Sequence, residues 1–129
     1  MQHYHGYDWV GDGRLLARER ERRPVEGGGF QTSELPPMMT GCWLLRPASQ
    51  VRDTWSRAED TVVWMVDRCL EQGIGCEVSE DKRRVHAVEQ LMDGNDVVWG
   101  SWVSESRWAG NYLIVCPNRF WPGLFCPLG

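Results

Sequence analysis

The chain has 129 residues, of which 42% are hydrophobic and 25% charged, and its formal net charge is −4. This balance is typical of a globular protein and excludes an intrinsically disordered one. The acidic total argues against nucleic-acid binding, which usually needs a basic surface. No apolar run approaches the about 20 residues needed to cross a membrane. We therefore predict one soluble domain, residues 1–129, that binds neither nucleic acid nor membrane.

The cysteines predict a reducing compartment. There are five, an odd number, and none forms a Cys-x-x-Cys pair. The first residues lack the charged-then-apolar layout of a signal peptide, so free thiols in a cytoplasm are expected. Lys82 is the only lysine among fourteen basic residues, a bias that a GC-rich bacterial genome would produce.

The first third of the chain predicts short elements joined by a flexible stretch. Residues 2–10 alternate loosely and favour a strand, and the charged stretch 14–23 favours a short helix. A Gly/Pro-rich connector follows at 24–40; it lacks the spacing of a phosphate-binding loop. The apolar run Cys42–Leu45 is then expected to form a strand.

The dominant pattern is one long amphipathic helix from Ser49 to Gly73. At 100° per residue, Trp55, Val62, Met65 and further apolar residues fall on one broad arc. Ser49 is a plausible N-cap, while Ser56 with Glu59 offers a later start. Trp64 falls on the opposite, charged face, where it is either covered by another segment or offered to a partner.

The second half predicts a shorter helix and a hairpin. A brief strand is expected at Ile74–Val78, and Ser79 can cap a helix whose apolar stripe is Val85, Val88, Leu91 and Met92. Two β-rich runs, 97–103 and 112–116, flank a polar turn region and predict an antiparallel hairpin. Trp99 and Trp102 are three apart and therefore point to opposite sides of the sheet. The predicted fold class is α+β, with a small, mainly antiparallel sheet packed against the long helix and the second, shorter one.

Residues 117–129 form an apolar, Pro-rich C-terminal tail. Three prolines prevent a regular helix, and Arg119 carries the only charge. Soluble monomers avoid leaving such an apolar patch in water. We expect the tail to dock on the sheet of its own chain, covering Trp99 or Trp102, although docking in trans stays open.

The sequence predicts no catalytic residue, no metal site and no cofactor. His3 and His5 would share a face of a strand, but no third ligand is identifiable, and the spacings Cys69/Cys76 and Cys116/Cys126 do not match zinc sites. Cys42 is expected to be a buried structural thiol rather than a nucleophile activated by histidine. His86 is expected to be solvated on the polar side of its helix.

One family resemblance concerns His5-Gly6, Gly29-Phe30 and Gly41-Cys42-Trp43-Leu44. Together these steps resemble the opening of ADP-ribosyltransferases, in which a His-Gly step and a later aromatic strand bracket the nicotinamide. The resemblance implies that Trp43 stands where many members carry tyrosine. Glu77 and Glu105 are the candidates for the catalytic glutamate.

The composition best fits an accessory protein of the inhibitor, immunity or adaptor type, whose partner is another protein or a second copy. Eight tryptophans in a short chain favour binding through displayed aromatic side chains. The candidate binding residues are Trp64, Trp99, Trp102, Trp108 and Trp121. A small-molecule-binding domain with a Trp-lined pocket is the alternative, and an ADP-ribosyltransferase-like enzyme is the third hypothesis.

Overall fold

A computed structural model describes residues 2–74 and 81–129. Four strands, β1 His3–Asp12, β2 Asp53–Trp55, β3 Val97–Trp102 and β4 Arg107–Cys116, form one antiparallel sheet in the order β2-β1-β4-β3. The helices are α1 Glu19–Arg22, α2 Ala58–Glu71 and α3 Asp81–Met92, with short 3-10 helices at Gly13–Ala17, Thr40–Leu45 and Ala48–Gln50. The predicted α+β class is confirmed.

The helices α2 and α3 cover one face of the sheet. Alternation along β4 directs Leu113 and Val115 toward this helical layer, where they pack against Met65 and Leu91. The predicted hairpin is present as β3 and β4. Trp99 lies in this core, and Trp102 lies on the other face, as their spacing predicts.

The opposite face is covered by irregular chain. Tyr112 and Ile114 of β4 pack there with Tyr7 and Trp43, and Leu124 of the tail closes the cluster. The tail thus returns to the sheet, but on the face opposite Trp99. Trp102 stays 55% exposed. The expectation that the tail covers one of these two tryptophans is wrong. The tail docks on the face opposite Trp99 and near the Cys116 end of β4, whereas Trp102 pairs with Trp108 at the other end of that strand.

Arg46 organises the connector 24–40. It is 2% exposed, and its guanidinium donates to the carbonyl oxygens of Ser33 at 2.7 Å and Leu35 at 2.8 Å. The same group stacks 4.1 Å from the ring centre of Phe30. Burial lowers the pKa of Arg46 to about 10, which leaves it protonated at neutral pH. The carbonyl groups of this irregular segment thus accept hydrogen bonds from one buried guanidinium, where a helix or strand would supply backbone N–H groups.

The long helix is shorter than predicted. It begins at Ala58, close to the later start, because Asp53–Trp55 pairs with β1 as strand β2. The residue proposed as N-cap, Ser49, lies in the 3-10 helix Ala48–Gln50. The backbone N–H and C=O groups of residues 53–55 need hydrogen-bond partners, which either a helix or the edge of the sheet could supply. In this protein they pair with β1.

Other local predictions also fail. Cys42–Leu45 lies in a 3-10 helix, not a strand. On α3 the buried residues are Ala87 and Leu91, whereas Val85 is 56% and Met92 62% exposed. The apolar stripe is narrower because α3 lies mainly against α2 and β3, so that only the side of the helix around Ala87 and Leu91 is covered. The strand predicted at Ile74–Val78 and the cap at Ser79 lie outside the described residues, apart from Ile74. Across the two described ranges, the helices are all too short or too polar to cross a membrane.

Candidate functional site

Strands β1 and β4 bring three potential metal ligands to one end of the sheet. His3 and His5 are two residues apart on β1, so both side chains point to the same face. Cys116 is the register partner of His3 on β4. Directly opposed residues of an antiparallel pair share a face. Three residues of the two types that zinc prefers, histidine and cysteine, therefore meet where the sheet ends.

The tail supplies the fourth residue. Sγ of Cys126 lies 3.6 Å from Nε2 of His3 and 3.4 Å from Nε2 of His5. The two Nε2 atoms are 3.2 Å apart. One ligand atom from each of these residues and from Cys116 lies within 4.8 Å of the others. We call His3, His5, Cys116 and Cys126 the Cys2His2 cluster.

The three separations among His3, His5 and Cys126 match a tetrahedral zinc site. Zinc bonds histidine nitrogen at about 2.05 Å and cysteine sulfur at about 2.3 Å. At tetrahedral angles these bonds place two nitrogens about 3.3 Å apart, and a nitrogen and a sulfur about 3.6 Å apart. The observed separations of 3.2, 3.4 and 3.6 Å agree with those values. The ligand atom of Cys116 lies within 4.8 Å of the other three, close enough to complete the set with a small shift of its side chain.

His5 is held in the orientation that a metal ligand needs. It is fully buried, and its Nδ1 lies 2.8 Å from Oγ1 of Thr54 on strand β2. When Nε2 binds a metal ion, Nδ1 carries the proton and donates a hydrogen bond to Oγ1 of Thr54. Metal-ligating histidines usually make such a bond with their second nitrogen, which fixes the tautomer and the ring.

Burial sets the protonation of the cluster. Desolvation, followed by the neighbouring His3, lowers the pKa of His5 to about 4. Desolvation, followed by Cys126, raises the pKa of Cys116 to about 12. Without a cation the cluster thus contains a neutral imidazole and a protonated thiol. A divalent cation bound at this buried position would favour deprotonation of a coordinating thiol to the thiolate.

A separate hydrogen-bond network fixes the loop between the two cysteines. The buried Asn118 donates from Nδ2 to the carboxylate of Asp96 at 3.1 Å and to the carbonyl of Val115 at 3.1 Å. Asp96 also accepts from the Val115 amide at 2.8 Å and from Oγ1 of Thr40 at 3.0 Å. The start of the tail is therefore anchored immediately after Cys116.

The five predicted binding tryptophans do not form one surface. Trp99 is buried under Arg83, whose guanidinium lies 4.6 Å from a ring centre. Trp64 is half-buried and packs on Trp55, with ring centres 5.2 Å apart. In the described part of the chain, Trp102 and Trp108 are the only two of the five whose rings pack against each other. Trp121 is half-buried and lies against Gly41.

The other sequence candidates fall in different places. Cys42 is buried at 3% exposure, and burial raises its pKa, as suits a structural thiol. His86 is exposed, as predicted. His5, the residue of the ADP-ribosyltransferase resemblance, faces the Cys2His2 cluster, and Trp43 lies on a 3-10 helix instead of an aromatic strand. Glu77 lies outside the described residues.

Comparison with known proteins gives no relative: no protein family, curated protein or solved structure matches the chain. Function must therefore be inferred from the chain's own side chains. The cluster escaped the sequence prediction because its ligands follow no short spacing: His5 and Cys126 are 121 positions apart. The one available signal was the His-x-His pair on a strand, to which the fold adds two cysteines.

Proposed function

We propose that the protein is a zinc-binding domain in which His3, His5, Cys116 and Cys126 hold one structural zinc ion. The observation that supports this most directly is the set of nitrogen–nitrogen and nitrogen–sulfur separations, which suit tetrahedral zinc. A tetrahedral site built from two sulfurs and two nitrogens is typical of zinc among the common divalent metals.

The number of ligands favours a structural role over a catalytic one. Catalytic zinc usually has three protein ligands and a fourth position for water or substrate. Here four side chains converge, so tetrahedral coordination is complete without solvent. The proposal also keeps the reducing, cytoplasmic setting predicted from the cysteines, because zinc requires both thiols to be reduced.

The tail explains what the metal would do. Leu124 and Cys126 contact the core, but Phe120, Phe125 and Leu128 remain 67%, 90% and 53% exposed. Apolar burial therefore holds the last residues of the tail only in part. A zinc ion bonded to Cys126 and to both strands joins the tail covalently to the sheet through metal–ligand bonds.

Metal analysis of the full chain tests the proposal. Protein produced in zinc-supplemented medium, purified without a metal-affinity tag, should contain one zinc per chain by mass spectrometry. Replacing zinc with cobalt should give the visible absorption of a tetrahedral site and a thiolate charge-transfer band. Cys126→Ser and His5→Ala should lose the metal.

Two control variants separate the cluster from other thiols and imidazoles. Cys42→Ser removes a buried thiol outside the cluster, and His86→Ala removes an exposed imidazole. Both should retain one zinc per chain. A wild-type protein without stoichiometric metal, or metal that is retained by Cys126→Ser and His5→Ala alike, would contradict the proposal.

A further inference from the structure

Strand β1 has an edge that its own chain covers only in part. β1 runs from His3 to Asp12 and pairs along this whole length with β4. On its other side, β2 pairs with only three residues, Tyr4 to Gly6. Just before β2 the chain turns away through the 3-10 helix Ala48–Gln50. The edge of β1 beyond Gly6 is left without a neighbouring strand in the described structure.

The backbone groups on this edge can be assigned from one hydrogen bond. The amide of Arg52 donates to the carbonyl oxygen of Gly6 at 2.8 Å, so Gly6 directs its backbone groups away from β4. In an antiparallel ladder alternate residues face the same side. Asp8 and Val10 therefore direct their N–H and C=O groups to the open edge. Neither makes a backbone hydrogen bond there with any residue the structure describes.

A cleft of about 710 Å³ lies beside this edge. Asp8, Trp9 and Val10 form one wall, and the opposite wall comes from the connector and the turn before β2, including Thr32, Pro47 and Gln50. The cleft continues the row that β2 occupies. Added strands lie about 4.8 Å from their neighbour and advance about 3.4 Å per residue. A few residues of extended chain suit a space of this kind.

The charged groups of the cleft leave donors available. The Asp8 carboxylate lies between two guanidiniums: Nε of Arg52 donates to it at 2.9 Å, and Arg68 donates to its other oxygen. Arg52 is 55% exposed, and its terminal nitrogens make no hydrogen bond within the described ranges. Nε1 of Trp43 and Nε of Arg68 are buried donors without a partner there. Because those two donors are buried, the group open to an acceptor on a bound chain is the guanidinium of Arg52. The exposed carboxylate of Glu34 also lines the cleft.

We propose that this cleft binds an extended peptide segment of a partner protein, which adds to β1 as a further strand and places an Asp or Glu side chain at Arg52. Backbone pairing with Asp8 and Val10 supplies affinity, and the acidic side chain supplies selectivity. The proposal does not depend on zinc, since the Cys2His2 cluster lies at the other end of β1.

Peptide selection with the full-length protein tests this. Random linear peptides displayed on phage are selected, and the best sequence is synthesised and its Kd measured. Val10→Pro removes the edge N–H, while edge strands tolerate proline. We expect it to weaken binding by about tenfold or more, and Val10→Ala, which keeps the N–H, by less than about threefold. Arg52→Gln should reduce the enrichment of acidic residues among selected peptides.

A chemical scan makes the result independent of how Val10→Pro folds. N-methylation of the peptide at alternate residues should abolish binding in one register and leave it intact in the other, because only alternate amides face β1. If N-methylation weakened binding equally at all peptide positions, the proposal would be overturned. It would also be overturned if the selected peptides bound Val10→Pro as tightly as the wild type while the thermal midpoint of that variant was unchanged. A dimer in sedimentation analysis that Val10→Pro abolishes, with no peptide selected, would assign the edge to a second copy and overturn it too.

Discussion

His3 lies directly opposite Cys116 at one end of the β1–β4 ladder, and His5 opposes Ile114 one pair further in. The strand pairing alone thus brings two candidate metal ligands of different chemistry within reach of each other. The tail must then add Cys126, which no strand register fixes. The predictions below separate the contribution of the sheet from that of the tail.

Removal of metal should destabilise the folded protein. Free zinc at a hundredfold excess over its Kd adds about 2.7 kcal/mol to the free energy of unfolding. For a domain of this length that corresponds to a fall in thermal midpoint of about 10 °C when a chelator is added. Calorimetry with and without chelator measures it. Cys116→Ser combined with Cys126→Ser should have the same midpoint under both conditions.

Thr54→Val should weaken metal binding without unfolding the sheet. The substitution keeps the shape of the side chain and removes the acceptor for Nδ1 of His5. Loss of such a partner typically costs about 10–100-fold in metal affinity. Competition with a chromophoric chelator gives the affinity. An unchanged affinity would show that His5 does not need Thr54 to stay in position.

Gly6→Ala should be destabilising because two tryptophans occupy the space. A Cβ at Gly6 would lie 2.8 Å from Cζ3 of Trp64 and 2.9 Å from Cη2 of Trp55. Overpacking of this kind costs about 1–3 kcal/mol. Urea denaturation measures the loss. Adding Trp64→Leu should recover part of it, and strictly additive effects would contradict the contact.

Arg46→Lys should lower the free energy of unfolding by about 2–3 kcal/mol. Lysine keeps the charge but cannot reproduce a planar group that donates to both Ser33 and Leu35 while stacking on Phe30. Arg20→Lys, at an exposed position, is the matched control and should change stability by less than about 0.5 kcal/mol. Equal denaturation midpoints for the two variants would exclude the organising role of Arg46.

Substitution of Leu124 and of its neighbour Phe125 should have very different effects on stability. Leu124 packs against the cluster around Tyr7, whereas Phe125 is 90% exposed. We expect Leu124→Ala to cost about 2 kcal/mol and Phe125→Ala less than about 0.5 kcal/mol in unfolding free energy. Thermal denaturation of both variants checks this. A larger loss for Phe125→Ala would mean that the tail packs differently from the structure.

The sequence predicted those elements whose signals are local. The hairpin follows from two β-rich runs around a polar turn, and the core of α2 follows from its 3.6-residue period. The start of α2 was missed because strand β2 depends on a distant partner: Tyr4 pairs with Trp55. Local propensity cannot register that competition.

The candidate metal site was missed for the same physical reason. His3 and His5 show their shared face through strand periodicity, but Cys116 becomes a neighbour only through the register of β4. Cys126 depends on a tail anchored by Asn118 and Asp96. The open edge of β1 could not be predicted from the sequence either, because it follows from the short length of β2 and not from any motif.

The separation of His3 and Cys126, 123 positions apart, bears on how the protein is made. A ribosome emits the chain from the amino end, so β1 leaves the exit tunnel long before β4, the strand with which it pairs most extensively. Contacts this distant in sequence form slowly. For most of the synthesis of this stretch, His3 and His5 are present while Cys116 and Cys126 have not yet been added. If the Cys2His2 cluster binds zinc as proposed, the ion can be fully coordinated only after Cys126 has been synthesised. A nascent chain that stalls before Cys126 should therefore bind zinc more weakly than the longer chain.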